Sequence, residues 1–122
     1  MPNCIGKNCD FIRLLASTPS DSQRQALLDT ATPSQIRALS EISLNLIKGR
    51  FGKHINRKSI EKVKENSIPF QFLATKGIAC NRKRKKLSKL HRKEVASNQF
   101  GGGIFSVLLP LAASVLPALI NK

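Results

Sequence analysis

The sequence predicts an all-α protein with a small helical N-terminal module, a basic helical middle region and an apolar C-terminal helix. Three observations carry that expectation. No segment alternates apolar and polar residues with the period of two that a half-buried strand requires. "TPSQIRALSEISLNLIKG" repeats its aliphatic residues at helical spacing behind a capping signal. Charge and hydropathy divide the 122 residues into zones, with expected boundaries at 1–50, 51–98, 99–103 and 104–122.

In the first zone "CDFIRLLAS" clusters Phe11, Ile12, Leu14 and Leu15 on one side of a short helix, which "TPSDS" ends. "DSQRQALLDTA" resumes the helical pattern, with Ala26, Leu27 and Ala31 as candidate core residues. Thr32 is then a good N-cap, Pro33 suits the first helical position, and Gln35 completes a Thr-x-x-Gln capping box. Ile36, Leu39, Ile42, Ser43, Leu46 and Ile47 follow at helical spacing, and Gly49 supplies a stop. A helix over 33–48 is the firmest expectation.

In the middle zone "RKSIEKVKEN" is a thin helix with Ile60 and Val63 as its aliphatics, and Pro69 is expected to interrupt the stretch after it. "IPFQFLATKG" offers Phe70, Leu73 and Ala74 to a short helix ending near Gly77. "NRKRKKLSKLHRKEVAS" forms a helix with Leu87, Leu90 and Ala96 on one side. Like charges repel along it, so it should be weak until counter-charges arrive. The tail has 17 uncharged residues, Ile104 to Ile120, behind three glycines at 101–103. As a helix it would reach about 26 Å, at the short edge of a membrane span, with kinks at Pro110 and Pro117. Ile104, Leu108, Leu111, Val115 and Leu119 share its bulky side; Ser106, Pro110, Ala113 and Pro117 share a small-residue side suited to close helix approach.

The charge distribution points to a partner. The net charge is +14, and residues 48–94 carry 16 Lys and Arg against Glu61, Glu65 and Glu94. Between Arg82 and Lys93, 8 of 12 residues are basic and none is acidic. Arg82, Lys83, Arg84, Lys85, Lys86, Lys89, Arg92 and Lys93 are therefore the candidate phosphate contacts. Such residues neutralise phosphates and release condensed counterions, and eight contacts give a log–log salt slope of about −7 on duplex DNA. No aromatic residue is interleaved with the charges, which argues against stacking on single-stranded bases. Lys83–Lys86 also fit a nuclear localisation signal. An anionic membrane surface is the alternative partner: the basic run would bind headgroups and the apolar tail would enter the bilayer. A helix-turn-helix over 21–48 is a third reading, weakened because Pro33 and Gly49 frame one long helix.

Enzymes are not indicated. HExxH, GxSxG, Walker and CxxC patterns are absent, and His54 and His91 lie in basic surroundings expected to be solvated. Cys4, Cys9 and Cys80 are odd in number and do not suggest a disulfide framework. Their spacings with the histidines match no standard zinc module, so neither metal nor cofactor is expected. "MPNCIGKNCDFIRLL" has no apolar core long enough for a signal peptide, and a reduced, intracellular protein is expected. Tryptophan and tyrosine are absent. With few aromatics and a short chain, modest stability is expected.

Two stretches carry a family resemblance. Gly102-Gly103-Ile104-Phe105, then Leu108, Pro110, Ala112-Ala113 and Pro117, resemble the C-terminal part of the adenovirus core protein X (mu) precursor. "QALLDTATPSQIRALSEISLNLIKG" is similar to the N-terminal part of short basic proteins encoded near capsid genes in adintoviruses and polinton-type elements. The resemblance implies a late virion core protein of the host nucleus that helps condense or package double-stranded DNA, with capsid proteins as further partners. It also implies processing by an adenain-type cysteine protease, whose preferred pattern Gln99-Phe100-Gly101-Gly102 fits, with Gly103 following. The chain departs from the adenovirus precursor in its Lys-rich run and its neutral N-terminal module.

Overall fold

A computed structural model describes residues 7–49, 57–97, 105 and 108–110. Among these the chain is all-helical, with helices α1 (Cys9–Ser17), α2 (Asp21–Asp29), α3 (Pro33–Ile47), α4 (Arg57–Glu65), α5 (Ser67–Ala74) and α6 (Cys80–Ser97). Phe105 and residues 108–110 have helical backbone, but the expected apolar C-terminal helix over 104–122 falls mostly outside the described residues, which do not establish it.

α3 starts as its sequence dictates. Thr32 Oγ1 accepts from the Gln35 amide at 3.2 Å, and Gln35 Oε1 accepts from the Thr32 amide at 2.9 Å. Pro33 occupies the first turn, where its missing N–H is not needed. The helix ends at Gly49, whose φ of +66° is one that L side chains rarely adopt. Inside, Ile36, Ala38, Leu39, Ile42, Ser43 and Leu46 are buried. Ser43 spends its hydroxyl locally, donating to the Leu39 carbonyl at 2.9 Å.

α3 is the centre of the packing. It lies along α5, which buries Phe70 and Leu73, and also along α6; α2 lies along α6. One buried cluster runs from Phe11, Ile12 and Leu15 of α1 through α3 and α5 to Leu87, Phe105, Leu108 and Leu109. The compositional boundary at residue 50 is therefore not a packing boundary. The neutral and basic zones share one core, because neither holds enough apolar surface to close on itself.

Several side chains sit differently from expectation. Leu14, Ile47 and Ile60 are exposed, Ala26 is exposed and Leu27 half-buried, and Leu28 fills the core position of α2. Each helix is short, and its neighbours choose which edge of its apolar arc is covered. Pro69 does not interrupt a helix; it lies in the first turn of α5, where proline is tolerated. Ala96 is exposed.

The α1–α2 corner is held by Arg24. Its Nε donates to the Leu15 carbonyl at 3.4 Å, its Nη2 donates to the Thr18 carbonyl, and its Nη1 pairs with Asp21 at 3.2 Å. A cation at the end of α1 thus meets carbonyls that the helix leaves unpaired. Arg24→Met should lower stability by about 1–2 kcal/mol, read as a smaller urea midpoint with an unchanged m-value. A midpoint equal to that of the parent would show that the clamp contributes nothing.

Candidate nucleic-acid interface

α6 is 18 residues long and divides sharply by face. At 3.6 residues per turn, Arg82, Lys85, Lys89, Arg92 and Lys93 fall on one side, and all five are exposed. They span about 16 Å of helix axis. Arg84 and Lys86 flank them, half-buried. The Arg82 guanidinium stands over the Phe72 ring, 5.9 Å from its centroid, which holds it at the surface without cancelling its charge. Arg84 donates to Asn81 Oδ1 at 2.5 Å. Arg92 pairs with Asp29 at 3.0 Å and stays 64% exposed. Lys58 and Lys64 of α4, Lys48 and Lys76 are exposed as well, while Arg50 and Lys53 lie outside the described residues.

The opposite side of α6 faces the core and is mostly polar. Lys83, Leu87, Ser88, His91 and Glu94 are all buried there. Two expectations change as a result. His91 is fully buried, not solvated. Lys83 is withdrawn from the outer cationic face, with its Nζ donating to Ser40 Oγ of α3 at 3.2 Å. Both lie in register with Leu87, four residues to either side, so the helix that buries Leu87 buries them too. Their polarity hid that stripe in the sequence, although the spacing from Leu87 was there to be read.

α2 supplies the partners for this stripe. Gln25 Nε2 donates to Asp29 Oδ1 at 3.0 Å and to the Ser88 carbonyl and hydroxyl at 3.2 and 2.9 Å. Ser88 donates its own hydroxyl to Asp29. His91 Nδ1 meets Gln25 Oε1 at 2.6 Å. The Gln25 carbonyl oxygen can only accept, so the proton sits on Nδ1. The Ser88 hydrogen bond, ahead of those from Gln25 and the nearby Arg92 charge, lowers the Asp29 pKa. Nothing in the α2 sequence marked Gln25 and Asp29 for this role.

The end of the stripe meets the start of the tail. The Phe105 amide donates to Glu94 Oε1 at 3.3 Å, and the Phe105 ring stands edge-on to His91, with centroids 5.3 Å apart and an interplanar angle of 86°. Glu94 Oε2 is buried with no hydrogen-bond partner among the described residues. Burial pushes the Glu94 pKa up to about 7, against a smaller lowering by the Phe105 amide. Burial, reinforced by the Arg24 charge, pushes the His91 pKa down. Burial also lowers that of Lys83.

The remaining candidates divide by position. Leu108 is fully buried in the core. Ile104, Leu111, Val115 and Leu119 lie outside the described residues, as do Gln99, Phe100, Gly101, Gly102 and Gly103. Cys9 and Cys80 are free thiols, half-buried; Cys4 and His54 lie outside the described residues. Among the described residues no three His, Cys, Asp or Glu side chains converge as metal ligands, and no helix is long and apolar enough to cross a membrane. Comparison with protein-family models, with curated proteins and with solved structures finds no match.

Glu94 generates a pH dependence. Its folded pKa of about 7 stands above the ordinary 4.5, so the native state binds more protons than the unfolded chain between those values. Its contribution to stability is therefore lost as pH rises through that window. His91 acts oppositely, because the unfolded chain binds its proton more tightly below pH 6.5. Glu94→Gln should flatten the loss between pH 4.5 and 7, by on the order of 3 kcal/mol at most. Urea melts across that range measure it. A variant that keeps the full slope would clear Glu94 of the effect.

Proposed function

We propose that the protein binds double-stranded DNA without sequence preference, through the outer face of α6, as a core protein that packages or condenses a viral genome. One observation carries the reading. The outer face of α6 gathers Arg82, Lys85, Lys89, Arg92 and Lys93 with no acidic residue among them, while the inner face is committed to the core. A rigid row of cations about 16 Å long matches a polyanion that carries one charge per about 1.7 Å of axis. Phosphates present the same surface whatever the base sequence, so the row positions the helix without reading bases. The likeness of the N-terminal stretch and the tail to short basic virion proteins supports the viral setting, the nuclear site of action and a Gly-Gly processing step.

The buried position of Lys83 and the half-buried positions of Arg84 and Lys86 reduce the expected contacts from eight to five. Five outer cations give a log–log salt slope of about −4.5 on duplex DNA, shallower than eight would. Fluorescence anisotropy with two unrelated duplexes at several salt concentrations should give equal affinities and that slope. Replacing Lys85, Lys89 and Lys93 together by Gln should weaken binding at least tenfold at moderate salt and reduce the slope by about 2.7, at 0.9 per phosphate contact. Strong preference for one duplex, or tight binding by the triple variant, would overturn the proposal.

A further inference from the structure

We propose that the cleft between α3, the α5–α6 turn and the first turn of α6 is a phosphate-binding site seated on Lys83, separate from the outer cationic face. The ligand class is a phosphate dianion, either free or as the terminal monoester of a nucleic-acid strand.

The cleft measures about 230 Å³ and is lined by Arg37, Ser40 and Glu41 of α3, by Lys76 and Ile78 of the turn, and by Cys80 and Lys83 of α6 among others. Lys83 is only 5% exposed, yet it lines this opening. Its ammonium has three donors and uses one on Ser40 Oγ. No carboxylate among the described residues lies within ion-pair distance of it. A buried charge without a counter-charge is costly, and an anion in the site offsets part of that cost.

The surroundings carry the same sign. Arg37 and Lys76 are exposed at the rim, and against the three cations stands Glu41 alone, which leaves the lining at +2. The first turn of α6 holds no acidic residue, although the positive end of its macrodipole lies there beside Arg82, Lys83 and Arg84. The Ser40 hydroxyl accepts from Lys83, so its own proton is available to a phosphate oxygen. A dianion meets the net charge of the lining, and Lys83, Ser40 and Arg37, which all line the cleft, each carry donors for its oxygens. The lowered pKa of Lys83 fits a cation waiting for its counter-charge.

The site does not rest on DNA binding by the outer face, because Lys83 lies on the opposite side of α6 from Lys85 and Lys89. Inorganic phosphate titrated into the full chain at pH 7.5 and constant ionic strength tests it. Lysine side-chain NMR should show a saturable shift of Lys83, and the melting temperature should rise over the same range. Arg37→Gln, an exposed substitution that leaves the core intact, should weaken the phosphate effect several-fold. Lys83→Met should weaken it at least tenfold. The double variant Lys85→Gln/Lys89→Gln should respond like the parent. A short oligonucleotide with a 5′-phosphate, compared with its 5′-hydroxyl twin, separates the two sources: tenfold tighter binding of the phosphorylated one assigns a strand end, and equal binding assigns free phosphate. A response that never saturates, or one that Arg37→Gln and Lys83→Met leave unchanged, overturns the proposal.

Discussion

Gln25 reaches from α2 to both Ser88 and His91 of α6, and the packing of the basic helix depends on that bridge. Apolar burial alone is a weak bond between these two helices. α2 buries Leu28, and Leu87 is the fully buried aliphatic of α6. Asp29 adds acceptors for Ser88 and Arg92, so Gln25, Asp29 and Ser88 form a connected polar network across the two helices. A matched polar network in a low-dielectric interface is worth more than its separate bonds, and a broken one costs more than an apolar contact. The same contacts set the rotation of α6 about its axis. They decide which of its cations face water.

Desolvation shifts the ionisable groups on the inner face of α6 away from their charged forms. Lys83 and His91 have lowered pKa values and Glu94 a raised one, and in each case desolvation is the first cause. All three shifts favour the neutral form. Burial disfavours the charged form of each ionisable group that the core covers, whatever its sign. The outer face is exposed to water. One helix thus serves two environments, and the separation gives the cationic row a rigid backing instead of a floppy tail.

The tail begins as part of this core. Phe105 rests its amide on Glu94 and its ring against His91, and Leu108 and Leu109 are buried beyond it. The sharp change from basic to apolar composition after Glu94 coincides with a place where the two segments touch. Phe105, at the start of the apolar segment, covers the end of the polar stripe at His91 and Glu94.

Local signals carried much of the architecture. The Thr32–Gln35 capping box, Pro33 and the aliphatic spacing of α3 specify a helix through contacts within four residues, and they stand as read. Aliphatic spacing and the lack of strand alternation pointed to the all-helical class that the described residues show, and the sequence alone located the concentrated basic segment. Only the tertiary structure decided which residues of that segment are exposed. Lys83 and His91 look like their exposed neighbours in sequence, and Gln25 lies 66 residues from His91. Burial of a polar side chain depends on whether a distant helix brings a partner to it, and no local pattern records that. The sequence therefore set the amount of positive charge on α6, whereas the packing of α2 and α3 against it selected the face that shows it.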